Sequence, residues 1–230
     1  MRPRWAVNNM SEADCCEPGA CRSGRLRLGA VLLAAGEGSR LGGRPKALIH
    51  AAGETLLQRN LRLLRDVGVD EVVVVTGHYR DDVAPALAAT SAELADLRIT
   101  EVTQPEASHS QPESLRLAIK GFTLQPDATL VLPVDMPLLT RADIVAVIGA
   151  YKHAPEMIEF VGPNVGGRPG NPVLFSNRIA ARIAGGEGDF GSGAWRHASP
   201  DWVLEWQTDN PHYVADIDTP ADLARWTDET

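Results

Sequence analysis

The chain has 230 residues, 44% hydrophobic and 23% charged, enough to bury one sizeable core. Its formal net charge of −8 argues against a nucleic-acid partner, because gripping a phosphate backbone takes a surplus of clustered Lys and Arg; small anionic ligands held by local cations stay open. No run of about 18 apolar residues spans a bilayer and no secretory-type apolar stretch opens the sequence, so a cytoplasmic protein without a membrane partner is expected.

Cys15, Cys16 and Cys21 all fall in a polar leader ahead of the first strand-like run. Their spacing lacks the second ligand pair of a zinc site and the nearest histidine is His50, so residues 1–28 read as a disordered extension and 29–230 as one domain. Beyond the leader, short apolar runs alternate with longer segments of helical period, the pattern of an open, mostly parallel α/β sheet. Residues 29–35, 71–77, 98–103 and 129–135 read as strands, the second and fourth as buried centre strands. Residues 55–67 put Leu56, Leu57, Leu61 and Leu64 on one helical face behind Thr55 as N-cap, and 112–122 repeat the pattern more weakly. Thr140 opens another helix. Residues 157–161 and 172–175 read as strands separated by the Gly/Pro-rich stretch 161–171, a candidate lid or substrate loop. A strand over 202–207 and a helix capped by Thr219, with Pro220 in first position, close the chain.

The stretch LAAGEGSRLGGRPK, residues 33–46, follows a strand and combines Gly36, Gly38, Gly42 and Gly43 with Arg40, Arg44 and Lys46. Glycines let backbone N–H groups approach an anion, and the cations add charge and directional donors, a composition suited to a triphosphate. A Walker loop is excluded because Lys46 stands between Pro45 and Ala47. A dinucleotide fingerprint is excluded because Leu41 holds the place of its third glycine. An ordinary Gly-rich surface loop explains neither the charge nor the position after a strand.

LAAGEGSRLGGRPKAL resembles the LAAGxSxRMGxxK signature of the MobA-like nucleotidyltransferases, in particular their molybdenum cofactor cytidylyltransferase members. The likeness continues through VVVVTGHYRDDV (72–83), LPVDMPLLT (132–140), GRPGNPVLFS (167–176) and DIDTP (216–220). The resemblance implies a Rossmann-like fold of the nucleotide-diphospho-sugar transferase kind, with a small acceptor-binding lobe. It also implies Mg²⁺-dependent transfer of CMP from CTP to the phosphate of the molybdopterin cofactor, serving a molybdenum hydroxylase apoenzyme or its chaperone. Guanylyltransferases of the superfamily read LAGG where cytidylyltransferases read LAAG, so Ala34 and Ala35 lean toward CTP. Two departures stand out. Ser110, Gln111, Pro112 and Glu113 replace a glycine-containing stretch within 104–115, and residues 188–196 alter a GDxGAR-like segment. Both fall where nucleotide or acceptor should bind, which leaves a sugar 1-phosphate or another small phosphorylated acceptor as the alternative.

Asp135 ends an otherwise apolar strand, and a carboxylate at the carboxyl end of such a strand points into the crevice where ligands bind. Mg²⁺ takes a few carboxylate oxygens beside waters and substrate phosphates, so one more aspartate suffices; Asp216 and Asp218 are available, and alternation points both the same way. By resemblance the DIDTP stretch supplies that ligand, Asp218 ahead of Asp216. Taken alone, these acids are turn and cap residues; the phosphate loop shifts the balance toward metal. Expected nucleotide contacts are Leu33, Ala34, Ala35, Gly36, Gly38, Lys46, Thr76, Gly77 and Ser110, with His78 nearby, while Arg40, Lys46 and Asp135 serve catalysis. By resemblance Arg168 holds the acceptor phosphate and Asn171 its heterocycle. A non-catalytic nucleotide- or cofactor-binding chaperone is the reading from another class, and Lys46, Asp135 and Asp218 argue against it.

Overall fold

The computed structural model describes residues 22, 24–105, 110–186 and 200–226; Cys15, Cys16, Cys21 and the altered 188–196 segment lie outside these residues. In chain order the elements are β1 (Leu28–Leu33), the two-stranded hairpin β2 (His50–Ala51) and β3 (Glu54–Thr55), α1 (Leu56–Asp66), β4 (Glu71–Thr76), α2 (Arg80–Glu93) and β5 (Arg98–Thr103). They continue with α3 (Gln111–Gly121), β6 (Ala128–Pro133), α4 (Arg141–His153), β7 (Phe160–Val165), β8 (Arg168–Pro169), β9 (Val173–Ser176), α5 (Asn177–Gly185), β10 (Val203–Gln207) and α6 (Pro220–Trp226).

Eight strands form one mixed, mostly parallel sheet in the order β10-β7-β9-β6-β1-β4-β5, with β8 attached to β7. Strand β1 pairs in parallel with both β4 and β6, and β9 runs antiparallel between β6 and β7. Covered on both faces, β4 is buried along its whole length: Val72 and Val74 join the core under α1, α2 and α4, while Val73 and Val75 join the core under α3 and α5. Helix α1 shows how local chemistry sets an element. Thr55 Oγ1 accepts from the Gln58 N–H while Gln58 Oε1 accepts from the Thr55 N–H, and the stripe Leu56, Leu57, Leu61 and Leu64 is fully buried. Among the described residues, no helix is long and apolar enough to cross a membrane.

One expectation is corrected. The Gly/Pro-rich stretch 161–171 is no loose lid: residues up to Val165 belong to β7, and only Gly166 and Gly167, at φ +57° and +88°, turn the chain into β8. Pro163 can sit in this strand because its carbonyl, not its missing N–H, makes the bond, accepting from the Gly170 N–H at 2.8 Å. The GRPGNPVLF segment is accordingly part of the main sheet, as β8 and β9. Within the segment read as leader, Arg22 docks on the end of α4, donating to the Tyr151 and Glu156 carbonyls with its guanidinium 4.2 Å from the Tyr151 ring centroid.

Glu71, at the start of β4, is completely buried and fixes the turn between α3 and β6, accepting from the Thr123 N–H (3.0 Å), the Leu124 N–H (2.8 Å) and Thr123 Oγ1 (2.9 Å). Replacing it strands those donors. Glu71→Ala should lower the unfolding free energy by about 3 kcal/mol or more, read by urea denaturation; a change within about 0.5 kcal/mol, as for an ordinary surface substitution, would show that the turn stands without it.

Candidate active site

The connection leaving β1 goes to β4 on one side and that leaving β6 goes to β7 on the other, so a crevice opens at the carboxyl ends of β1 and β6. Here lies an open cleft of about 570 Å³. Its floor is the stretch from Leu33 to Arg40, joined by Lys46; Pro133, Val134 and Asp135 leave β6 into it, Asp218 comes from the chain's end, and Gln104, Gln111 and Ser114 form a further wall.

The loop from Ala34 to Lys46 is shaped by glycine and pinned by apolar residues. Gly38 adopts φ +57°, and a Cβ there would overlap the Arg44 carbonyl oxygen, so the loop can fold back on itself only at a glycine. Its carbonyl accepts from the N–H groups of Leu41 (2.8 Å) and Gly43 (3.2 Å). Buried Leu41 and Ala47 hold the loop to the core, so that Lys46, next to Ala47, returns to the cleft at a fixed place.

At that place the Lys46 ammonium donates to Asp135 Oδ2 and Asp218 Oδ1, both at 2.6 Å. Asp135 is set by two backbone bonds on its own segment: Val134 donates to the Leu33 carbonyl (3.0 Å), and the Val134 carbonyl accepts from the buried Asn60 amide (2.8 Å). Asp218 is brought alongside because the N–H of the fully buried Ile217 donates to the Asp135 carbonyl at 3.0 Å. Burial alone would lower the Lys46 ammonium, but the carboxylates of Asp135 and Asp218 outweigh it and hold its pKa above the ordinary value. Arg40, largely exposed, reaches to 3.6 Å from Asp218 Oδ2. Asp216 lies outside the cleft lining, near enough that partial desolvation, then the charges of Asp218 and Asp135, raise its carboxyl pKa. Among the described residues no group of three or more His, Cys, Asp and Glu converges as a metal cluster.

Leu33, Ala34, Ala35, Gly36, Gly38, Arg40, Lys46, Asp135 and Asp218 thus meet in one cleft. Other expected contacts stand outside its lining, for physical reasons. The Thr76 side chain is buried and its hydroxyl donates to Glu101 at 2.7 Å. Gly77 packs against Ala35, where a Cβ would come within 2.9 Å of the alanine's own; it shapes the floor of the cleft from behind. Ser110 is turned to solvent, bonded to Glu113. His78 is exposed and packs edge-on against Tyr79; Arg168 is exposed in β8, and the Asn171 N–H donates to the Tyr213 carbonyl. Gln111 belongs to the altered 104–115 stretch that the sequence placed near the nucleotide or acceptor; Gln104 and Ser114 were passed over. Ser114 Oγ donates to Gln104 Oε1 at 2.6 Å, linking the end of β5 to the first turn of α3. A buried glutamine just after a strand, and a serine on the inner face of a short helix, were the available signals.

Since the folded-state pKa of Lys46 is raised, its contribution to stability is complete below the unfolded value, ordinarily near 10.4, and is lost as pH rises through the folded value. Lys46→Met should therefore cost about 2 kcal/mol at pH 8, and the gap to the wild type should narrow at pH 11. Urea denaturation at both pH values reads it, and an equal gap at both would mean that Lys46 is not the counter-charge of these carboxylates.

Residues 30–208 match the family model described as a MobA-like NTP transferase domain. The chain is 50% identical over 116 residues to the bifunctional IPC transferase and DIPP synthase of Rubrobacter xylanophilus, a match covering 49% of this chain but 25% of that protein. It is 43% identical over 110 residues to the 2-C-methyl-D-erythritol 4-phosphate cytidylyltransferase of Saccharopolyspora erythraea, covering 46% of each. These matches span half or less of either curated relative. In three dimensions the chain is similar to Rv0371c of Mycobacterium tuberculosis, with TM-score 0.70, 24% identity and 89% of this chain against 100% of that one; the same protein is known as a manganese complex. Family match, fold and cleft agree: the chain belongs to the MobA-like NTP transferase family.

Proposed function

We propose that this protein is a nucleotidyltransferase that moves CMP from CTP to a small phosphorylated acceptor and releases pyrophosphate, with Mg²⁺ as its ion. The observation that carries the reading is the shared ammonium, with Lys46 Nζ 2.6 Å from both Asp135 and Asp218 at the end of a glycine-rich loop. The donor set suits Mg²⁺, which binds through one or two carboxylates and leaves its other positions to water and substrate phosphates. When bound, such an ion neutralises charge on the triphosphate.

The rest is the work of the chain's own groups. Gly36 and Gly38 let the loop approach the phosphates, and Arg40, loosely held, can turn onto them. Lys46 stays charged through the neutral range and offers its cation where negative charge gathers on the α-phosphate and the departing pyrophosphate. An acceptor phosphate oxygen attacks the α-phosphorus in line as its bond to the β-phosphate oxygen breaks. A phosphate monoester is ionised near neutrality, so no general base is required.

The lean to CTP rests on the LAAG resemblance at Ala34 and Ala35; the amide and hydroxyl groups of Gln104, Gln111 and Ser114 in the cleft wall are able to hydrogen-bond a base edge. The cytidylyltransferase likeness over 110 residues supports the same choice and puts a phosphorylated alcohol first as acceptor. Molybdopterin, and with it a molybdenum hydroxylase partner, is the second reading, supported by the LAAG and GRPGNPVLF motifs. Lys46, Asp135 and Asp218 gathered in one cleft with the glycine-rich loop argue against a chaperone without chemistry.

Pyrophosphate release with Mg²⁺, comparing CTP, GTP, ATP and UTP against 2-C-methylerythritol 4-phosphate, sugar 1-phosphates and molybdopterin, tests the proposal. Release with CTP and one acceptor class is expected, falling about 100-fold or more in Lys46→Ala and Asp135→Ala. Silence from every pair, or wild-type rates in either variant, would overturn it.

A further inference from the structure

Outside the cleft, one buried carboxylate holds both segments that deliver its acids. Asp143, in the first turn of α4 and 6% exposed, accepts at Oδ2 from the Thr140 N–H (2.8 Å), Thr140 Oγ1 (2.8 Å) and His212 Nδ1 (2.9 Å), and at Oδ1 from Asn210 Nδ2 (2.6 Å). Its main-chain carbonyl accepts from the buried Tyr213 hydroxyl at 2.9 Å. A helix cap accounts for the bonds to Thr140 alone. The bonds from Asn210, His212 and Tyr213 come from another part of the chain, the strap 208–219 that links β10 to α6 and carries Asp218. Thr140, for its part, ends the segment that leaves β6 with Asp135. Asn210 Oδ1 also accepts from the His212 N–H (3.0 Å), which stiffens the strap where Asp143 grips it. Ile217 then closes the circuit on the Asp135 carbonyl.

We propose that Asp143 is a positioning residue that sets the spacing of Asp135 and Asp218, and so the affinity of the cleft for a divalent cation; this rests on the metal site proposed above. It touches neither the cation nor the nucleotide. Loss of the strap-side donors would leave the α4 cap whole while loosening the strap that carries Asp218; groups bonded directly to a metal's ligands matter about 10- to 100-fold in affinity, and Asp143, acting on both ligands through the backbone, is expected at the low end of that range.

The test is calorimetric titration of the full chain with Mn²⁺, paired with thermal melting. His212→Ala, alone and with Asn210→Ala, should raise the Mn²⁺ dissociation constant about tenfold. His212→Asn, whose side-chain N–H can stand where Nδ1 does, should recover most of the loss. Thr140→Val should lower the melting temperature yet leave the constant within about twofold, because it removes the cap hydroxyl while the residue-140 N–H still holds Asp143 to the Asp135 segment and the strap is untouched. If the wild type binds Mn²⁺ and the His212 and Asn210 variants bind it equally well, the positioning role is wrong while the metal site stands. If the wild type itself takes up no Mn²⁺, both fall. The His212→Ala single variant carries the comparison should the double variant fail to fold.

Discussion

The parallel pairing of β1 with β6 is the constraint on which the cleft depends. The register sets Leu33 opposite Pro133, so the two strands end level and their chains depart in opposite directions from one point. Ala34 is tied to the Val75 carbonyl and Val134 to the Leu33 carbonyl, which fixes the first step of each departure. A glycine-rich loop therefore opens beside a carboxylate, and Lys46, twelve residues further on, has only to fold back to meet Asp135.

In a chain of net charge −8, the cleft sets its two cations, Arg40 and Lys46, among the acids Glu37, Asp135 and Asp218. An ammonium bonded to two carboxylates in a half-buried crevice is stable as a charged species, and the same arrangement keeps the acids from repelling one another. The site thus assembles from three distant stretches without leaving a buried charge uncompensated, and no rearrangement of the sheet is needed to bring a cation and two anions together.

Much of this was legible because it is written in local pattern. Alternating apolar runs marked β1, β4, β5 and β6; Thr55, Thr140 and Thr219 marked helix starts; the loop up to Lys46 and the lone Asp135 marked the crevice. What escaped depends on contacts distant in sequence. Residues 161–171 carry the composition of a loop, and only neighbouring strands turn most of them into β7 and β8. Thr76 ends a strand as a binding residue would, but its partner is Glu101 on the adjacent strand. Asn60, within an otherwise leucine-rich stripe, and Asp143, two residues into α4, look like an interruption and a cap respectively; their bonds to Val134 and to the 208–219 strap follow from the packing of α1 and α4. Asp216 and Asp218 flank the buried Ile217 in the same short stretch; the resemblance put Asp218 first, and Asp218 is the one that lines the cleft and meets Lys46.

The most direct test of the central claim, that Lys46, Asp135 and Asp218 form the centre of nucleotidyl transfer, is a crystal structure grown with Mn²⁺ and a CTP analogue whose α,β-bridging oxygen is replaced by methylene. Anomalous manganese density held by Asp135 and Asp218 is expected, with the analogue's phosphates along residues 36–46. Manganese and nucleotide bound elsewhere, with Lys46 still bridging both carboxylates, would contradict the claim.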